Sequence, residues 1–487
     1  MKTWRKRSAW KVAIVGLMIA LFVVPPKVNA DVVIYKLPGT SLGMVLQGST
    51  NVNAGGTITF SHPRFGNIYF KLADVDIHKV QTMQQRYTKE VGKAGKDPQK
   101  LMVAANWALQ HGMINSVYDL TKKALEQDNQ HPHANKIREL KRKMIIALPE
   151  PKAEEEELRR LVERPDMKIK TSAHFILLHD TPDKPAPNHR KSRAEERLDL
   201  LEQVYESFLL RFYARGVELE IPKQRLKVVL FADQANYLYF AKKLSPSLSS
   251  ALGFYDPTTN TSVFFDNGTS PKFKALQRLS EKYQDLKADA LRSRDSDAAD
   301  IRRFADSLAF MIAIERENMD ITVVSHEATH HMAAATGLFP RHVMMPSWVH
   351  EGLATYFETP DGAAGSGMGA VNGDRLDWYR MLETDREHSN IEFIVGDKIF
   401  DYAASNKATI HGYGQAWALT HFMMERHFDE LMTFYRRLGE LPPDLKVSSE
   451  TLVKLFDESV KIDHSRLDSE WRAYMRSLKT DLEVILD

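Results

Sequence analysis

The sequence predicts an α+β protein built from more than one unit, and three observations lead there. β-Branched and aromatic runs broken by Gly and Pro crowd residues 31–80. Apolar residues at helical spacing follow across 97–145. From His174 onward the order is strand, helix, strand, strand, and then a mainly helical run to the C-terminus. At 487 residues the chain exceeds one ordinary core, so two or three domains are expected.

Residues 1–30 stand apart from the rest. Lys2, Arg5, Lys6, Arg7 and Lys11 form a basic start, Val12 to Val24 is apolar, and Pro25-Pro26-Lys27-Val28-Asn29-Ala30 ends in small residues. The apolar run falls short of the roughly 20 residues of a spanning helix. It reads as a signal peptide cut after Ala30. The mature chain is then expected to be exported, periplasmic or extracellular, with no membrane association after cleavage. A net charge of +2 provides no basic field, so nucleic acid is not an expected partner. The absence of cysteine leaves His and carboxylates as the ligands for any transition metal.

Asp31–Tyr35, Gly56–Phe60 and Asn67–Lys71 read as strands with Gly55, Pro63 and Gly66 in the turns. Residues 31–80 suit a small β-rich domain of SH3-like size. In 81–148, Leu101, Ala104, Ala105, Ala108 and Leu109 share one helical face, Gly112 breaks the chain, and Val117, Leu120, Ala124 and Leu125 line a second helix. This helical hairpin resembles one tetratricopeptide-like repeat. It offers a surface for a protein partner or packs on its neighbours, and one copy does not decide between them. Residues 149–165, rich in Glu, read as a charged, solvated linker or helix and the best domain boundary.

The last and largest unit is expected over 166–487. His174–His179, Leu226–Phe231 and Thr261–Asp266 are its strands, with a helix near 193–215 after the first. Thr261–Asp266 is either a sheet edge that pairs with an extended peptide or an interior strand, as adjacent Phe264 and Phe265 suggest. Residues 271–317 read as one amphipathic helix carrying Phe273, Leu276, Leu279, Tyr283 and Leu286.

His326-Glu327-Ala328-Thr329-His330 carries the chemistry. On a helix, residues four apart share a face, so both imidazoles can converge on one cation. Glu327 is rotated by about 100° from His326. It is placed to take the proton of a water held at that cation while the water attacks a carbonyl. Asp320 is the expected N-cap, and Gly337 the stop. In Ser347-Trp348-Val349-His350-Glu351, Ser347 reads as the N-cap of a second helix, on which Glu351 completes a His2Glu set with an open position. Glu358, two turns further on, is the alternative third ligand. A metzincin would need Gly and a third His where Ala333 and Thr336 stand. His331 is expected to be exposed or capping, His350 at the surface or behind the ligands, and His342 unrelated.

The HExxH motif followed by Trp348-x-x-Glu351-Gly352-x-Ala354, with twenty residues between His330 and Glu351, resembles the gluzincin clan of zinc metallopeptidases, in particular its peptidase MA-like members. The similarity runs from about His174 to Trp471 and includes Gly253-Phe254-Tyr255-Asp256 and Tyr413-Gly414-Gln415-Ala416-Trp417. The resemblance implies Zn2+ held by His326, His330 and Glu351, Glu327 as general base, peptide or protein substrates, and Tyr413 as an oxyanion donor, with His411 as runner-up. Thr355 stands where an acidic partner for the imidazoles would follow Glu351, so the groups that orient the rings are open. The reading from a different class is a protein-binding or scaffold protein whose metal site is inactive or structural.

Overall fold

A computed structural model describes residues 30–36, 43–62, 65–186, 189–290, 292, 297–358, 369–480 and 483–484. Apart from Ala30, the expected signal peptide lies outside the described residues. Among the described residues no helix is long and apolar enough to cross a membrane. The architecture is α+β.

The chain opens with strands β1 (Ala30–Lys36), β2 (Gly43–Asn53), β3 (Thr57–His62), β4 (Gly66–Lys71) and β5 (Val75–Val80). They form one antiparallel sheet in the order β4-β3-β2-β1-β5. β2 and β5 were not anticipated; their runs are interrupted by Gln, Ser, Asn, Asp, His and Lys, which obscures the alternation. Val33, Leu46, Ile58, Phe60, Ile68 and Phe70 bury the inner face of the sheet.

Four helices follow, two more than the spacing predicts: α1 (Met83–Ala94), α2 (Pro98–Gln110), α3 (Ile114–Gln127) and α4 (Pro132–Met144). Thr82 and Gln85 form a capping box on α1, and the Asp97 side chain caps α2. The helices are not a detached hairpin, because their core is continuous with that of the rest of the chain. The charged stretch 149–165 takes the helix alternative rather than the linker. It contains α5 (Lys152–Val162), whose Leu158 and Val162, four residues apart on one face, bury against the second sheet while most of its Glu side chains stay outside.

That second sheet comprises β6 (Lys168–Thr171), β7 (Phe175–His179), β8 (Leu226–Phe231), β9 (Gly253–Asp256) and β10 (Thr261–Phe265) in the order β6-β7-β8-β10-β9. β7, β8 and β10 run parallel, and β6 and β9 are antiparallel edges. Helices α6 (Arg193–Tyr213), α7 (Gln234–Leu244), α8 (Pro271–Ala290) and α9 (Ala298–Ala335) accompany it. Val229, Phe231, Val263 and Phe265 point to one face, toward α5 and α7. Val228, Leu230 and Phe264 point to the other, toward α6 and α9. Both faces are covered, which is why these strands are apolar throughout. The edge-strand expectation for 261–266 is therefore overturned: β10 pairs with β8 on one side and β9 on the other. The edge beside the motif helix is β9.

The single helix expected over 271–317 is instead α8 and the front half of α9, packed against each other. α9 has 38 residues, roughly 57 Å of helix. Asp320 is not its N-cap, because neither Gly nor Pro interrupts 298–320 and the helix begins at Ala298. Asp320 is instead a buried interior residue. It pairs with Arg193 and Arg197 at the start of α6, and Asn267 donates to it at 2.9 Å. Upstream, Phe310, Met311 and Ile314 of α9 pack against the N-terminal sheet. Gly337, at φ 72°, ends the helix as expected.

The remainder is helical: α10 (Ser347–Tyr356), α11 (Gly373–Leu382), α12 (Ile391–Val395), α13 (Ile399–Ser405), α14 (Thr409–Arg426), α15 (Phe428–Gly439), α16 (Ser449–Val460) and α17 (His464–Ser477). α14 is the hub, in contact with α10, α11 and α13. Its residues from Gly414 to Met424 are all buried.

Candidate metal centre

The C-terminal half of α9 carries His326, Glu327 and His330, and α10 lies across it with Glu351. Ser347 is the first residue of α10 rather than its side-chain cap. The cap comes from Asp397, beyond α12, whose carboxylate accepts the N–H groups of Ser347 at 3.0 Å and Trp348 at 3.1 Å. Trp348 is fully buried and stacks on Phe434, centroids 5.9 Å apart. One turn further along the same face, α10 packs against α14. A Cβ on Gly352 would lie 2.8 Å from the carbonyl oxygen of Ala416, so only glycine permits this approach.

These elements bring three donors together. Nε2 of His326 is 3.0 Å from Oε2 of Glu351, and Nε2 of His330 is 3.9 Å from the same oxygen. One ligand atom from each residue lies within 4.8 Å of the others. Donors about 2.0–2.1 Å from a tetrahedral cation stand roughly 3.3 Å apart, so this set fits one metal ion. His326, His330 and Glu351 form the group that can hold it.

Glu358, the alternative ligand, is not part of that group. It accepts the other ring nitrogen of His326, Nδ1, at 2.9 Å. This is the acidic partner that the sequence left open, three residues beyond the Thr355 position and just past the end of α10. Thr355 instead donates to the carbonyl of Glu351 at 2.8 Å. Glu358 is in turn gripped by Arg375 of α11. Nothing in the sequence singles out Arg375, because the contact joins the segment after α10 to a separate helix.

The electrostatics differ from residue to residue. Burial works against a charged His326, but Glu351 and Glu358 outweigh it and hold its pKa well above the ordinary value. Burial, reinforced by the neighbouring His350, pushes His330 well below its ordinary value, so the ring is neutral, as a ligand must be. Burial also raises Glu327, to about 7, with Glu351 adding repulsion and His326 opposing.

The neighbouring histidines depart in part from expectation. His331 is buried rather than exposed: it hydrogen-bonds Oγ of Ser262 at 3.0 Å, stacks on Tyr255, and is pushed down to about 3 by burial. His350 stacks face to face on His330, centroids 3.8 Å apart. It lies behind the ligands, as one of its two expected positions had it.

Tyr413 faces the centre, its ring 6.3 Å from that of His326. Burial raises its pKa, and Glu351 and Glu327 raise it further, so the phenol keeps its proton. Gly414 permits this placement. A Cβ there would lie 2.7 Å from the backbone nitrogen of Tyr379, and its absence lets α14 press against α11.

A family model described as a protein of unknown function, DUF1570, matches residues 320–444. That span contains both histidines, Glu327, Glu351, Glu358, Arg375 and Tyr413. No curated protein and no solved structure matches the chain.

Proposed function

We propose that this chain is an exported zinc metallopeptidase that hydrolyses peptide bonds. The observation that carries the reading is Glu327. It is an acidic group outside the three-donor set, buried close enough to His326 and Glu351 for both to act on its ionisation. A site that only held a metal would have no use for it. His2Glu with an open position suits zinc, and no cysteine competes. Zinc bound there would supply Lewis acidity toward a carbonyl and toward water.

The remaining steps belong to the chain's own groups. Glu327 takes the proton of the attacking water and returns it to the leaving amine. Beside a bound dication Glu327 would stay ionised and ready for that proton. Tyr413, protonated and facing the centre, donates to the oxygen that becomes negative. The leader-like residues 1–30 support export.

The test is a mass-spectrometric cleavage profile of a complex peptide mixture by the purified mature chain. Cleavage should stop with a chelator and return with zinc. No cleavage under any metal condition, by a chain that binds zinc, would favour a binding protein with an inactive site instead.

A further inference from the structure

We propose that Arg375 is a positioning residue of the metal centre, which acts through Glu358 on the ring of His326 and directly on the ring of Tyr413. The inference rests on the reading of His326 as a metal ligand and extends it to a side chain two layers away.

Arg375 donates from Nε to Oε2 of Glu358 at 2.8 Å and from Nη2 to Oε1 at 2.7 Å. This is the two-pronged arrangement that only a guanidinium provides. Oε1 also receives Nδ1 of His326 at 2.9 Å. The carboxylate is therefore held at both oxygens and cannot turn away from the imidazole. With Nδ1 committed to Glu358 as a donor, Nε2 is the nitrogen that faces Glu351 and the metal position.

The same guanidinium is packed between aromatic rings. It lies 4.2 Å from the centroid of Trp378 and 5.6 Å from that of Tyr413. The side chain of Glu358 is only 1% exposed and that of Arg375 11%, so water does not substitute readily for either. One arginine thus fixes the direction of the first histidine and supports the face of the phenol.

A buried counter-ion with a merely structural role would lower thermal stability and leave the metal chemistry of the folded protein alone. Two variants separate the possibilities. Arg375→Lys keeps the charge and removes the fork; Arg375→Gln removes the charge and keeps one donor, and if it does not fold, the Lys variant carries the test. The readouts are zinc affinity, by competition with a chromogenic chelator, and the His326 Nδ1–H signal in nitrogen-15 NMR of metal-free and zinc-loaded protein. Zinc affinity should fall by about tenfold or more in folded Arg375→Lys, and the Nδ1–H signal should broaden or vanish. Unchanged affinity and an unchanged Nδ1–H in a folded variant would overturn the proposal. If the wild-type chain binds no zinc but its metal-free Nδ1–H is lost in the variant, the role of Arg375 stands and the zinc reading falls.

Discussion

The carboxylate of Asp397 accepts the backbone N–H of Trp348 at 3.1 Å, and so caps from a distance the helix that carries Glu351. Ser347 contributes its own N–H and hydroxyl to the same carboxylate. The position of a metal donor is thereby tied to a residue about fifty positions away in the chain.

Asp397→Ala should remove this cap. The expected loss is about 1 kcal/mol of stability, the usual worth of an N-terminal cap. Zinc affinity should weaken as well, because Glu351 sits in the first turns of the uncapped helix. Urea denaturation and chelator competition on one preparation check both; an unaltered urea midpoint would show that solvent replaces the carboxylate at no cost.

Gly352→Ala should be worse than its one added methyl suggests. The new Cβ would press on the Ala416 carbonyl and on Thr420, and the backbones of α10 and α14 would have to separate. Overpacking of this kind costs about 1–3 kcal/mol. A melting curve is the simplest check, and a wild-type melting temperature would mean that the two helices part freely.

Acid should destabilise the fold through carboxylates away from the metal position. Burial opposes ionisation of Asp266, yet Arg193 and Arg316 outweigh it and hold the pKa below its ordinary value. Burial likewise opposes ionisation of Glu425, which Arg211, His421 and Arg215 hold low. Unfolded, such groups titrate at about 3.9–4.3. Where the folded pKa is the lower one, the unfolded chain binds more protons. The stabilisation is present above that range and is lost as pH falls through the folded values. Urea midpoints should therefore drop between about pH 5 and pH 3, and less steeply in Asp266→Asn; a flat profile would contradict the sign.

Glu327→Gln should keep the fold and the metal and lose hydrolysis, since an amide cannot accept the proton. Tyr413→Phe should lower turnover by roughly 10²–10³-fold with metal content unchanged. Turnover assays on zinc-loaded variants decide both. Near-native turnover in the first would remove Glu327 from the mechanism, and unchanged kinetics in the second would pass the donor role to His411.

What could be read in the sequence, and what could not, divides along a physical line. His326, Glu327 and His330 are related by helical periodicity alone, and Glu351 by the helix that follows, so their convergence was legible. Glu358 drew attention as a carboxylate seven residues after Glu351, and it stands just past the end of α10. Which ring it meets depends on how α10 crosses α9, which no spacing encodes. Asp320 has the residue type of a cap, but its partners, Arg193 and Arg197, lie more than 120 positions upstream. The strands around Val229 and Val263 were visible as apolar runs, whereas their order was not. β9, only four residues long, occupies the edge, so that of the two readings of β10 the interior one holds. The strands β2 and β5 hid among polar residues for the reason that β-propensity is weak where one face is solvated.

His326, His330 and Glu351 together are proposed to hold one zinc ion. Elemental analysis of the purified mature chain, beside His330→Ala prepared in the same way, tests this most directly. One zinc per chain is expected in the first and essentially none in the second. A wild-type chain without zinc that also fails to bind added zinc tightly would contradict it.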